Sequence, residues 1–318
     1  MQNNKFHYSL HILPILFFMA FVSASCIKDD LGDCPAPRTP GFSLLLKAFD
    51  ADGGSLDSET IKDITLYIFD ADKALLDIRN VLLSETVTLD YPGHDNLKLV
   101  AWGNGKQGAL LMPALKEGDH LETAFVSLIQ TRTTLPVAGS PNDLFYGTID
   151  ITPAADASVR ELPLRRKVSG VTITARHLRE YIGSTEGEYH YIVRKTTDKL
   201  DFYGRSNGTE VSYRPQAAFN DKGEFVSPAF NIFPTEADIK IDIYHRDVLK
   251  TTVITDSNGN PLRVSEGRLL NVLVDFQGAV SVDVRVTDWG KQAGKNQSRR
   301  CCIRHSQRHK KRWNHRAN

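Results

Sequence analysis

The chain has 318 residues, 24% of them charged and 9% aromatic, with 39 Lys and Arg against 38 Asp and Glu. This is the composition of a folded protein with material for two hydrophobic cores, and it excludes a disordered or collagen-like chain. The near-neutral total hides a division: nine Lys and Arg and no acidic residue lie between Lys295 and Asn318, leaving residues 1–294 with 30 basic and 38 acidic groups. An acidic body argues against a nucleic-acid partner for the folded part, because phosphate binding needs the opposite field.

Residues 1–25 read as a signal peptide. Lys5 and His7 form a basic start, an apolar run extends from Leu10 to Val22, and Ser23, Ala24 and Ser25 are the small residues of a cleavage site. The run is too short to span a bilayer comfortably, and no later apolar stretch reaches spanning length. Cys26 follows directly and is the expected point of lipid attachment, although Ser23 stands where a lipoprotein signal more often has Leu. Secretory cleavage near Ala24, with Cys26 a plain thiol, is the competing reading. Acylation matters because each buried methylene is worth about 0.8 kcal/mol, and stable attachment takes two or more chains. Residues 26–40 then form a linker, in which Lys28, Asp29 and Asp30 stand beside Gly32, Pro35, Pro37 and Pro40 and keep the tether solvated and extended.

From residue 41 the pattern predicts strand after strand: Phe42–Phe49, Asp63–Phe69, Leu83–Leu89, Leu97–Trp102, Thr123–Ile129 and Leu144–Ile149. In Ile64-Thr65-Leu66-Tyr67-Ile68-Phe69 one face takes Ile64, Leu66 and Ile68, as expected of a strand with one side on a core. Gly108–Glu117 is a candidate short helix that Pro113 cuts. The small, turn-rich stretch Pro153–Ser158 is the expected boundary between a first domain, residues 41–155, and a second, residues 156–290. Strands resume at Val159–Leu164, Gly170–Ala175, Tyr189–Lys195, Lys199–Tyr203, Glu210–Tyr213, Phe230–Phe233, Asp238–His245, Val248–Thr255, Leu269–Phe276 and Val280–Val286. Asp221-Lys222-Gly223 and Asp256-Ser257-Asn258-Gly259 read as hairpin loops, and His177–Ile182 as a helix of about one and a half turns. Many short strands and few helices predict an all-β chain of two tandem β-sandwiches, followed by an atypical basic tail over 291–318. The four cysteines are Cys26, Cys34, Cys301 and Cys302, so residues 36–289 hold no thiol and no disulfide framework.

Four motifs suggest chemistry and fail in their context. Gly103-Asn104-Gly105-Lys106-Gln107-Gly108 matches a dinucleotide-binding turn, but Pro113 arrives before the long helix that a pyrophosphate needs. Gly204-Arg205-Ser206-Asn207-Gly208 matches a nucleophile elbow, yet another strand follows instead of a helix. Asp50-Ala51-Asp52-Gly53-Gly54 and Asp256-Ser257-Asn258-Gly259-Asn260-Pro261 begin like calcium loops but place Ile61 and Gly267 where a bidentate Glu belongs. Cys301 and Cys302 with His305 and His309 lack a structured ligand frame for zinc. The sequence therefore assigns no catalytic residue, no metal site, no cofactor and no small-molecule substrate, and predicts that the protein is not an enzyme.

Several segments together resemble the FimB-type (minor fimbrillin) anchor subunits of Bacteroidales fimbriae. They are Cys26-Ile27-Lys28-Asp29-Asp30-Leu31-Gly32-Asp33-Cys34-Pro35, Leu66-Tyr67-Ile68-Phe69-Asp70, Leu99-Val100-Ala101-Trp102-Gly103-Asn104, Asp143-Leu144-Phe145-Tyr146-Gly147 and Val284-Arg285-Val286-Thr287-Asp288-Trp289. The residues after Cys26 are also similar to the Lys-Asp-Asp export signal of Bacteroidetes surface lipoproteins. The resemblance implies transthyretin-like sandwiches, a lipid on Cys26, exposure on the outer face of the outer membrane, and a place at the base of a fimbrium. It further implies a fimbrillin stalk subunit as partner, contacts similar to donor-strand exchange, and a part in limiting polymer length. The chain departs from the family at its end, where the β-prone segment expected after Trp289 is replaced by the basic stretch to Asn318; an altered reading frame or replaced terminus is the expected cause. The competing function is a surface adhesin or glycan-binding lipoprotein, with Tyr181, Tyr189, Tyr191 and Tyr203 as candidate stacking residues.

Overall fold

A computed structural model describes residues 41–94, 96–106, 108–131, 136–152 and 159–289. The described chain is almost wholly β, in four sheets. The first has eight strands, in the order β2 (Ser55–Leu56), β1 (Phe42–Phe49), β12 (Val159–Arg166), β11 (Phe145–Ile151), β6 (Leu97–Gly103), β3 (Ile64–Phe69) and β4 (Leu75–Val81), with β5 (Thr86–Leu89) also paired to β1. A six-stranded sheet runs β20 (Val248–Val253), β19 (Lys240–His245), β14 (Tyr189–Thr197), β16 (Glu210–Tyr213), β10 (Val137–Ala138), β9 (Gln130–Thr131). A five-stranded sheet runs β17 (Ala218–Phe219), β18 (Phe225–Ile232), β13 (Ser169–Arg176), β21 (Arg268–Asp275), β22 (Ser281–Asp288). The fourth is small: β15 (Lys199–Asp201), β8 (Phe125–Leu128) and β7 (Leu110–Leu111).

The eight-stranded sheet is nearly cut in two at β11 and β12, which pair only through Phe145 with Arg166 and Tyr146 with Arg165. The apolar faces of the two halves enclose one core. Phe42, Leu44, Leu46 and Ala48 of β1 and Leu162 and Leu164 of β12 meet Ile64, Leu66 and Ile68 of β3 and Leu97, Leu99 and Ala101 of β6. Strict alternation in β1 is what puts those four side chains on one face. The second core lies between the six- and five-stranded sheets, where Tyr191 and Val193 of β14 and Ile241 and Ile243 of β19 pack with Val171 and Ile173 of β13 and Leu270 and Val272 of β21. Each such side chain contributes roughly 1.5–3 kcal/mol on burial.

β3 and β6 belong to both cores. The residues that alternate with these, Tyr67 and Phe69 in β3 and Val100 and Trp102 in β6, are also buried, but on the second core. Such two-sided burial explains why both strands read as nearly unbroken apolar runs. Sheet membership and chain order part company near residue 155: β12, which follows it, completes the first sheet, while β8 and β10, which precede it, pair with β15 and β16, and β9 joins that sheet through β10. The boundary stretch 153–158 lies outside the described residues.

Most expected strands are present to within a residue or two, and the helix expected at His177–Ile182 is α1 (Leu178–Ile182), ended by Gly183 at φ 72°. One expected helix is absent and one strand goes unforeseen. Residues 108–117 contain no α-helix; Leu110 and Leu111 form β7 against β8 instead, because Leu110 is drawn into the second core. β4 escapes the sequence reading because Leu75-Leu76-Asp77-Ile78-Arg79-Asn80-Val81 does not alternate; it is an edge strand with a register shift beside Phe69.

Candidate functional site

Four of the five family-like segments converge where the two cores meet. Phe202, in the turn after β15, is fully buried there, with its ring centroid 4.9 Å from Tyr67, 6.3 Å from Phe69 and 5.9 Å from Trp102. Tyr146 packs on Trp102 with ring centroids 4.7 Å apart and the planes tilted by 48°, and donates its hydroxyl hydrogen to the Phe202 carbonyl at 3.1 Å. Burial holds the phenol groups of Tyr67 and Tyr146 well above the ordinary tyrosine range, the former at about 12, so both stay neutral donors. Phe202 was expected only as part of a strand; its role is a tertiary one that no local pattern signals.

Beside this aromatic wall lies a polar one. Asn104 holds a left-handed φ of 60°, accepts from the Lys62 N–H at 2.9 Å, and donates to the carbonyls of Thr60 at 2.9 Å and Asp143 at 3.0 Å. The glycine-rich Gly103–Gly108 motif thus serves as a strand-end turn. Asp143 takes a forked bond from Arg166, Nε to Oδ1 at 2.5 Å and Nη2 to Oδ2 at 2.8 Å. Burial pushes the Asp143 carboxyl up, against the opposing pull of that guanidinium. Arg166, only 5% exposed, lies under the Trp289 ring at 4.4 Å. Arg268 pairs with Asp52 at 2.5 Å and with Asp288, joining the turn after β1 to the end of β22. The Asp50 loop is therefore a hydrogen-bonded turn, with Gly54 N–H on Asp50 Oδ1 at 2.6 Å. The other motifs are also turns: Gly204 has φ 75° and donates to the Asp201 carbonyl at 2.9 Å, and Gly259 has φ 84°. Among the described residues no group of His, Cys, Asp and Glu is arranged to hold a metal.

The junction leads directly to an open sheet edge. β22 pairs with β21 alone among the described residues. Val282, Val284 and Val286 stand opposite Val274, Val272 and Leu270, so all three point toward the second core. Ser257 closes the start of the outer edge, donating to the Val282 carbonyl at 2.9 Å and accepting from its N–H at 2.7 Å through Oγ. By the alternation of an antiparallel ladder, the backbone groups of Val284 and Val286 face the same outer side. Val286 is nonetheless 56% exposed, although it stands opposite the buried Leu270. The alternation of Val280–Val286 marks the strand in sequence, but nothing marks it as an edge.

Cys26, Lys28, Asp29 and Asp30 lie outside the described residues, as do the leader and the basic tail. Of the candidate stacking tyrosines, Tyr189 and Tyr191 are core residues, Tyr181 is half-exposed against Phe276, and Tyr203 lines a surface cleft. Among the described residues no helix is long and apolar enough to cross a membrane.

The family model of the fimbrillin-A associated anchor proteins Mfa1 and Mfa2 matches residues 31–293. The chain is 26% identical over 309 residues to the major fimbrium anchoring subunit FimB of Porphyromonas gingivalis, covering 91% of this chain and 96% of that one. Its fold is similar to that of the fimbrial anchor protein Mfa2 of Porphyromonas gingivalis, with a TM-score of 0.59 at 16% identity over 79% of this chain and 98% of that chain. A candidate adhesin of Bacteroides ovatus superposes equally well, TM-score 0.59 at 14% identity over 80% and 95% of the two chains, which is a likeness of fold alone. With a family match that runs through both cores and the junction between them, this chain belongs to the fimbrillin-A associated anchor proteins, a family of structural subunits and not of enzymes.

Proposed function

We propose that the protein anchors a fimbrium to the outer membrane, with a lipid on Cys26 as its membrane end and the open edge of β22 as its polymer end. The observation that carries the polymer half is Val286, apolar and 56% exposed on a strand that, among the described residues, has β21 as its one sheet neighbour. A strand donated by a fimbrillin stalk subunit would extend the five-stranded sheet, and its alternate side chains would cover the β22 valines. Each added backbone hydrogen bond contributes about 0.5–1.5 kcal/mol, so a short strand suffices for a specific joint. Which subunit donates also bears on polymer length, because an anchor that occupies one end stops growth there.

The membrane half is supported by the leader, by Cys26 and by the Lys28-Asp29-Asp30 export signal that follows it. The fifteen residues between Cys26 and Phe42 reach at most about 50 Å when extended, enough to hold the folded part clear of the lipid headgroups. In this reading the folded units follow residues 41–155 and 156–290 except that β12 completes the first and β8 and β10 join the second, with β3 and β6 as a common wall.

Cys26→Ala tests the reading. The variant protein, and the fimbriae it carries, should move from the membrane fraction to the medium, and mass spectrometry of the parent should find an acylated N-terminal cysteine. Retention of the variant at wild-type levels would contradict the lipid assignment.

A further inference from the structure

The end of the six-stranded sheet where β14 begins and β19 stops has an alternation of its own. Tyr189 stands opposite His245 and His190 opposite Tyr244, so each cross-strand pair joins a histidine to a tyrosine, one pair on each face of the sheet. On the core face the rings of Tyr189 and His245 lie 4.5 Å apart. His245 Nε2 is 2.6 Å from the Glu186 carbonyl, which can only accept, so that nitrogen carries the hydrogen. Tyr189 donates its hydroxyl hydrogen to the Ser184 carbonyl at 2.6 Å. These contacts pin the strap 184–188 to the sheet, and Gly187 leaves room for it: a Cβ there would fall 2.8 Å from His245 Nε2 and 2.6 Å from Arg246 Nε. Beyond His245 the chain turns through Arg246 and Asp247, both at left-handed φ, into β20.

On the outer face His190 is held differently. Its ring lies parallel to Tyr244, centroids 4.9 Å apart and planes within 3°, and the residue is only 8% exposed. Among the described residues its Nδ1 is buried without a hydrogen-bond partner. The charged groups around it are Arg214 just after β16, Glu188 in the strap and Asp247 in the hairpin turn, and Arg214 is bonded to Glu188 at 2.5 Å. The next charges along this face, Arg194 and Asp242, are bonded to each other at 2.7 Å. Burial, reinforced by Arg214, holds the His190 imidazole below its ordinary 6.5, against the smaller pull of Glu188 and Asp247. A neutral ring suits this position. Protonation gives both ring nitrogens a hydrogen, so Nδ1 must donate and has no acceptor; the face of Tyr244 offsets part of the cost of the buried charge but accepts no such bond.

We propose that His190 is an acid-sensitive latch, whose protonation loosens the pairing of β14 with β19 at this end and frees the turn between β19 and β20 while the rest of the sandwich stays closed. The latch is independent of the anchor reading, and either stands without the other. Because the folded imidazole titrates below the unfolded one, its stabilising effect is complete above 6.5 and is lost as the pH falls through the folded value. The test is hydrogen exchange of the full-length chain in detergent, read by mass spectrometry at about pH 7.5 and about pH 5 and corrected for the intrinsic pH dependence of amide exchange. Amides of residues 189–192, 243–245 and 248–249 should exchange about threefold faster or more at the lower pH, and those of β13 and β21 at an unchanged rate. His190→Phe, which keeps a ring on Tyr244 but takes no proton, should abolish the local acceleration, and His190→Gln replaces it should the larger ring prevent folding. Imidazole NMR of the parent gives a reading that needs no variant: the His190 ring should titrate below 6.5. Equal exchange at both pH values, acceleration spread evenly over both sheets, the same local acceleration in the non-titrating variant, or a ring that titrates at or above 6.5 overturns the proposal.

Discussion

Asn104 shows how one side chain can close a junction. Its amide makes three hydrogen bonds to two backbone segments, at residues 60–62 and at Asp143, while its own backbone sits in a region that Asn tolerates and most residues do not. Asn104→Ala should cost about 2–3 kcal/mol in urea unfolding, from orphaned backbone groups and left-handed strain together, and Asn104→Gly should recover only the strain. Glu122 supplies a residue-scale pH dependence. Hydrogen bonds from Lys73 and Tyr203, with the charges of His120 and Lys73, hold its carboxyl down at about 2, against an ordinary 4.5. A depressed folded pKa means that its stabilising effect is complete above about pH 4.5 and is lost as the pH falls toward 2. Melting temperature followed across that window should therefore fall less steeply in Glu122→Gln than in the parent; parallel curves would remove Glu122 from the account. Trp102 and Asp143 were legible as notable residues in the sequence, but their partners Phe202 and Arg166 were not, because the contacts span 100 and 23 positions with no periodicity to mark them.

At the scale of the element, β22 separates fold from function. Its core-facing row is Val282, Val284 and Val286, and its outward row is Asp283, Arg285 and Thr287, an alternation plain in the sequence. Exposure of Val286 is the part that strand assignment could not supply, since it depends on what packs across from the strand in the folded molecule. Val286→Lys should change unfolding stability by no more than about 0.5 kcal/mol, as expected of a surface position, yet abolish incorporation of the anchor into fimbriae in a pull-down of stalk subunits. Normal incorporation would remove this edge as the joint. β4 and β7 make the converse point: both are real strands that the sequence concealed, one an irregular edge and the other only two residues long.

At the scale of the molecule, the two cores are not beads on a string. β3 and β6 are buried on both faces, and Phe202 reaches from the second unit into the wall of the first. If the polymer joins at β22 as proposed, load entering there would pass through the Arg268–Asp52 pair and the Arg166–Trp289 contact to the first unit. The described region should unfold calorimetrically as one transition. Phe202→Ala, which empties the centre of the wall at a cost of about 3–5 kcal/mol, should split it into two. A single transition in the variant would show that the backbone pairing of β8 with β15 and of β10 with β16 couples the units by itself.

Local rules were enough to determine that this chain is all-β, where most of its strands lie, and that its glycine-rich and aspartate-rich motifs are turns. Those properties follow from alternation, turn chemistry and composition, each of which acts over a few neighbouring residues. Only the tertiary structure decided that two cores share β3 and β6, that Phe202 locks them, which edge is open and which tyrosine faces a cleft. Each of these depends on how sheets of unequal width overlap, and that overlap is set by burial summed over residues far apart in the chain.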